Sequence, residues 1–436
     1  MGRERACKEP LLIGEQLFWA EQRPDQGGRT TLMRQVGPGA TPHDLTPGSW
    51  SLRSRVHEFG GGLFCASSEL AVFIDGRSGV PHAVSYGPGA QPRPLVRGAS
   101  DEGGCYADGL IDAPRQRWLG VRETNSCDQL VALPLAGGEP QVLRQEADFC
   151  GYAALSPAGD QLAWLEWSLP SMPWERTELW CSPIDASGEL SDPQRIAGGD
   201  GTAESLFQPL WSPDGQLLVA SDRSGWWTPQ RWCPDQQPAW QPLPLPQACE
   251  TAMPQWVYGM RTLATSECAL LALACAQGEW SLWQYPWQQQ QWQRIALPFN
   301  ELSGLTASAQ RAACLGASAT QRTTLLELDL AAASHRPLQP AAPLPQELVR
   351  ISEPRALEFA GGDGQSSHGW YYPPTTSDPG PAPLLVKAHS GPTGMARTGL
   401  NLAIQFWTSR GWGVVDVNYG GSTGFGRAYR QRLDGQ

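Results

Sequence analysis

Two segments near the end of the chain carry residue types that could do covalent chemistry. Gly420-Gly421-Ser422-Thr423-Gly424 satisfies G-x-S-x-G, the turn that lifts a nucleophilic serine between a strand and a helix. His389-Ser390-Gly391-Pro392 ends a short apolar run, where backbone N–H groups can face a developing oxyanion. The two do not read as a triad. On folds that use this elbow the acid and the histidine follow the serine in chain order, and no histidine lies beyond His389. A serine without a base is a poor nucleophile at neutral pH, so Ser422 is expected in a Gly-rich turn. His389 reads equally as a structural histidine bonded to nearby backbone and as part of an oxyanion loop.

Gly421 to Ala428 also comes close to a phosphate cradle, but Arg427 stands in place of the lysine and Ala428 lacks the hydroxyl that would hold Mg²⁺. Nucleotide binding is not expected. Arg55-Val56-His57-Glu58-Phe59-Gly60-Gly61-Gly62 is the other dense polar cluster. His57 and Glu58 are adjacent, so on a strand they face opposite ways and cannot share one metal. A structural hairpin is favoured there, with substrate contact from Arg55 or Glu58 as the second reading. The eleven cysteines are scattered without C-x-x-C spacing, which suits reduced thiols in a cytoplasm better than a disulfide framework or a zinc site. No metal and no cofactor is expected.

These residues must be positioned by short strands. From about residue 45 to 345, apolar runs alternate with turn clusters. Leu155-Ser-Pro-Ala-Gly-Asp-Gln-Leu-Ala-Trp-Leu-Glu-Trp167 is echoed by Trp211-Ser-Pro-Asp-Gly-Gln-Leu-Leu-Val-Ala-Ser221, with weaker copies at Ile111–Val121 and Thr306–Gly316. In the clearest copy proline presets the turn's φ, aspartate bonds nearby backbone and glycine accepts φ > 0. Such repeats, together with 20 Trp, point to β-propeller blades, about seven of them. Arg336 to Pro345 is rich in proline and alanine and reads as a linker.

Beyond the linker, Pro354–Phe359 and His368–Pro374 look like two strands around a turn, and Leu384–His389 is a further strand. Leu400, Ala403, Ile404 and Trp407 fall on one face of a helix. Trp412–Asn418 is apolar almost throughout, as buried parallel strands are. The fold expected is mainly β: a propeller with an N-terminal segment over residues 1–345, then an incomplete α/β-hydrolase domain over 346–436.

The 436 residues allow two or three domains. A net charge of −11 argues against nucleic acid, which demands basic patches. The charged N-terminus lacks the apolar core of a secretory signal, and no run approaches the ~20 residues of a membrane span. A cytoplasmic chain without membrane attachment is expected.

Six blocks together resemble the prolyl oligopeptidase family of serine peptidases, particularly its acylaminoacyl-peptidase and dipeptidyl-aminopeptidase-like branch. They are Arg53–Gly62, Tyr106–Asp112, Met172–Trp180, Met253–Met260, His389–Thr393 and Asn418–Arg427. The resemblance implies a propeller restricting access to a hydrolase domain that cleaves short peptides. It also implies that His389, Ser390 and Gly391 form the oxyanion loop. The family has glycine where this chain has Ser390, which keeps the N–H and adds a side chain. By the same resemblance Ser422 belongs to a structural loop, and the nucleophile, aspartate and histidine all lie downstream of Asn418–Gly424. The chain is therefore expected to lack catalytic residues and to be inactive alone. Its unfinished sheet is expected to be unstable or prone to aggregation. The rival expectation is a non-catalytic propeller that binds a peptide or protein partner.

Overall fold

The computed structural model describes residues 5–96, 104–199, 201, 203–339, 348, 350–362, 364–376 and 380–435. Among them, seven four-stranded antiparallel sheets follow one another, spanning 6–44, 64–94, 105–144, 149–198, 206–242, 263–295 and 301–337. The first strand of each packs against the first strand of the next, and Glu301–Ser308 of the seventh returns to Ala6–Ile13 of the first. This is a propeller. It begins earlier than the visible repeats, since residues 6–44 already form a sheet.

All four repeat copies occupy the same place, the hairpin between the first and second strands of the third, fourth, fifth and seventh sheets. The serine is the reason for the motif: Ser156 Oγ accepts from the amides of Asp160 (3.2 Å) and Gln161 (3.0 Å), and Ser212 Oγ from that of Gln216 (2.9 Å). Second strands lie between neighbouring sheets, so both faces are buried and polar alternation disappears. Leu162, Ala163, Trp164 and Leu165 in succession are wholly inaccessible.

First strands converge on the axis, and five of them bulge there, with left-handed backbone at Glu9, Asp108, Tyr152, Gln208 and Gly304. Polar side chains at this ring bond one sheet to the next. Glu9 accepts from Leu63 N (2.8 Å) and Gln208 from Thr262 N (2.8 Å). The ring closes where Leu12 N donates to Thr306 Oγ1 (3.0 Å). Indoles add outer staples: Trp211, Trp240 and Trp292 each donate Nε1–H to a carbonyl of the preceding sheet, at Ala154, Ile196 and Leu243.

The eighth sheet runs in the order Arg355–Ala360, Ser366–Tyr372, Gly413–Asn418, Leu384–Ala388. Its last pair is parallel and the others antiparallel. The helix Leu402–Thr408 covers one face, packing Ile404 with Trp370, Tyr372, Val414 and Ala396. Asn401 caps it, its Oδ1 accepting from Ala403 N (2.9 Å) and Ile404 N (3.3 Å). The helix is shorter than its apolar pattern: Leu400 precedes it and Ala403 is exposed. Gln405 is buried instead, bonded to both backbone groups of Ser352. Leu384–Ala388 is an edge strand with Leu384 and Val386 exposed (53% and 67%).

Two expectations need correction. Arg336 and Pro337 lie in the outer strand of the seventh sheet, not in a linker, and residues 340–345 of that stretch fall outside the described residues. Residues 55–62 form no strand hairpin but a turn with left-handed φ at His57, Glu58, Gly60, Gly61 and Gly62.

Candidate functional site

The sheet order places the loops after Ala388 and after Asn418 side by side, because their strands are parallel neighbours. Tyr419 stacks on the His389 ring (4.4 Å between centroids), and its hydroxyl donates to the carbonyls of His389 (3.1 Å) and Pro392 (3.3 Å). Thr423 N donates to Gly394 O (2.8 Å), and Ala396 N to Asn418 Oδ1 (2.7 Å). Gly391 has φ +154, and a Cβ there would lie 2.9 Å from Thr393 N, so the loop requires glycine.

The structure also brings Ser422 to a base, which chain order had denied it: Ser422 Oγ lies 2.7 Å from His389 Nε2. The other ring nitrogen faces Ser390 O (3.0 Å). Burial pushes the imidazole below its ordinary value, against the opposing pull of Ser390 O and Asp416. The consistent assignment is neutral His389, donating from Nδ1 and accepting from the Ser422 hydroxyl. What argues against Ser422 as nucleophile is therefore geometry. Its side chain is wholly inaccessible, its φ is not left-handed as a strained elbow requires, and among the described residues no carboxylate bonds His389.

The propeller face opposite is aromatic. Trp256 donates its indole N–H to Thr393 O (2.5 Å), stacks obliquely on Trp174 (4.4 Å) and meets Phe59 (6.3 Å). A cavity of about 550 Å³ lies between Trp174, Trp256 and Met172 on the propeller and Thr393, Arg427 and Leu433 on the other side. Phe59 is 68% exposed, held up by the left-handed turn at His57 and Glu58. That turn is anchored through His57 Nε2 to buried Asp128 (3.0 Å), which also accepts from Tyr258 Oη (3.0 Å). Burial depresses the His57 imidazole, but the hydrogen bond and charge of Asp128 outweigh it and leave the group above its ordinary value. Arg55 is exposed and donates to Gly76 O (2.8 Å), while exposed Glu58 lines a second cavity with Phe59 and Arg53.

Sequence reasoning missed the ionic core of this junction. Arg430 pairs with Asp222 (2.5 Å) and Glu250 (3.0 Å), all three nearly inaccessible, and lies 3.9 Å over the Trp227 ring. Arg427 adds a second pair to Asp222 (2.5 Å). No motif marks Asp222 or Glu250. Trp174 and Trp256 did carry a signal, since each follows a Met-Pro dipeptide in a block that resembles the family.

A propeller whose aromatic face meets a mixed sheet bearing a histidine loop is the architecture of propeller-bearing peptidases, and comparison with known proteins agrees. A solved puromycin hydrolase is 32% identical over 99% of this chain and 69% of its own, with a TM-score of 0.90. A puromycin-hydrolyzing peptidase of Mycobacterium tuberculosis is 30% identical over 98% of this chain and 68% of its own, at a TM-score of 0.88. A prolyl endopeptidase shares the fold at 14% identity and a TM-score of 0.77. No family model matches the chain, and no curated protein does. The chain belongs to the prolyl oligopeptidase family.

Proposed function

We propose that this chain carries the substrate-selecting part of a serine peptidase acting on short peptides. Residues 1–345 form a seven-bladed propeller, and 346–436 form the opening of an α/β-hydrolase domain. His389, Ser390 and Gly391 make the oxyanion loop, with the exposed amides after His389 as donors. Arg55 and Glu58, on the raised turn beside Phe59, contact substrate. The observation that carries this reading is the His389–Thr393 loop joined to the propeller's Trp256 beside the cavity lined by Trp174. A puromycin hydrolase variant solved in complex with PGG supports peptides as ligands for this architecture.

In this reading the nucleophile is not Ser422. The described residues bind peptide, and Ser422 does not cleave it. The rival, a free-standing propeller that binds a partner, is disfavoured because Gly399 N, Gly424 N and Arg430 are all bonded into propeller carboxylates.

The test titrates tripeptides against the chain, reading tryptophan fluorescence, and treats it with a fluorophosphonate. Saturable quenching that weakens in Trp256→Ala and Glu58→Gln, without Ser422 labelling, is expected. Peptide hydrolysis abolished by Ser422→Ala would overturn the assignment.

A further inference from the structure

Outside the proposed substrate contacts, one buried carboxylate connects the propeller to the His389 loop. Glu250, in the connection between the fifth and sixth sheets, is 1% exposed and accepts from Gly424 N at 2.5 Å. Its other oxygen takes Arg430, which is shared with Asp222. Gly424 has φ +90, and a Cβ there would come within 3.1 Å of Cys275 Sγ, so the amide is presented by a conformation suited to glycine. Two residues earlier, Ser422 donates to His389 Nε2. The residue between them, Thr423, bonds the backbone of Gly394.

We propose that Glu250 is a positioning residue: by holding Gly424 it sets Ser422, which fixes the orientation and tautomer of His389 and so ties the shape of the oxyanion loop to propeller docking. The physical reason is the cost of a stranded amide. A buried N–H without an acceptor keeps its full desolvation penalty, so without Glu250 the Gly-rich loop rotates to find another partner and carries Ser422 with it. The charged or titratable groups that face Glu250 are Arg430, Asp222, Cys249 and Cys275. Those facing His389 are Asp416, Lys387 and Tyr419. None of them substitutes for the Gly424 contact.

This inference deepens the oxyanion-loop reading, but its test does not use turnover, so either can fail without the other. The six histidines are labelled with ¹³C at Cε1 and titrated in the full chain. In the parent chain burial should hold the His389 imidazole below its ordinary value. The charge-free double variant Glu250→Met with Arg430→Met, and separately Ser422→Ala, should shift the His389 signal and move its pKa upward, leaving His57, His82 and His335 in place as the check on folding. Glu250→Gln, which keeps an acceptor oxygen for Gly424, should restore the parent signal. If the double variant does not fold, Glu250→Ala is judged by the same signals. A His389 signal unmoved by removal of Glu250, or unmoved by Ser422→Ala, would overturn the relay.

Discussion

Replacing Arg430 by methionine tests how the propeller holds its partner sheet, and the cost can be worked from the groups left behind. Asp222 keeps Arg427 and the amide of Ser205. Among the described residues, the Glu250 side chain keeps Gly424 N and loses the one cation it pairs with. Burial already pushes the Glu250 carboxyl upward against the pull of Arg430. Stripped of that cation it takes up a proton rather than remain charged. Protonating a carboxyl with an unfolded value of about 4.3 at pH 7 costs about 3.7 kcal/mol, at 1.36 kcal/mol per pH unit. This agrees with the ~3–5 kcal/mol for breaking one half of a buried pair. Because the folded value in the variant lies above the unfolded one, the stability is present below the unfolded value and is lost as pH rises. The penalty should therefore shrink to about 1 kcal/mol at pH 5. Hydrogen exchange of the Thr423 and Gly424 amides reads the local opening. Arg430→Met should accelerate it by roughly 500-fold at pH 7 and roughly 5-fold at pH 5. Adding Glu250→Met removes the stranded carboxyl, and the double variant should open far less often than the single one at pH 7. A pH-independent penalty, or a double variant no better than the single, would refute the reasoning.

Three further outcomes follow from the geometry. Burial lifts the Glu9 carboxyl to about 7, against the bond from Leu63 N and the charge of Arg261, so the parent chain should lose up to ~2 kcal/mol as pH rises from 5 to 8. Glu9→Gln should flatten that slope in urea unfolding, and an unchanged slope would exclude Glu9 as its source. Gly109→Ala would bring a Cβ to 1.9 Å from Trp118 Nε1, inside a fully buried ring. It should cost about 3 kcal/mol or more by overpacking, measured by thermal unfolding, whereas a variant of parental stability would mean that Trp118 has room to move. Val386→Lys on the exposed edge strand should reduce concentration-dependent light scattering of the chain, and equal scattering would place the self-association elsewhere.

What the sequence disclosed depended on whether a local rule was at work. Ser156 and Ser212 stand out because one side chain closes a hairpin with its own neighbours, and that chemistry is written in consecutive residues. The equivalent hairpins of the first, second and sixth sheets turn through Gly14-Glu15, Ser68-Glu69 and Glu267-Cys268, none resembling the Ser-Pro-Asp-Gly run, so the repeat is silent there although the fold is the same. Residues 57–62 misled because adjacency was read as strand alternation, whereas the anchor is Asp128, 71 positions away. The Ser422 motif shows the same limit from the other side. G-x-S-x-G and chain order concern the segment alone, and neither could register that His389 would arrive 2.7 Å from the hydroxyl or that Glu250 would hold Gly424 of the same loop. Glu250, Asp222 and Arg430 are separated by up to 208 positions, and nothing local distinguishes them from solvated surface charges. Their burial arises only when the propeller face and the Gly-rich loop meet. The junction that couples the two parts of the molecule is therefore made of residues whose roles exist only in three dimensions.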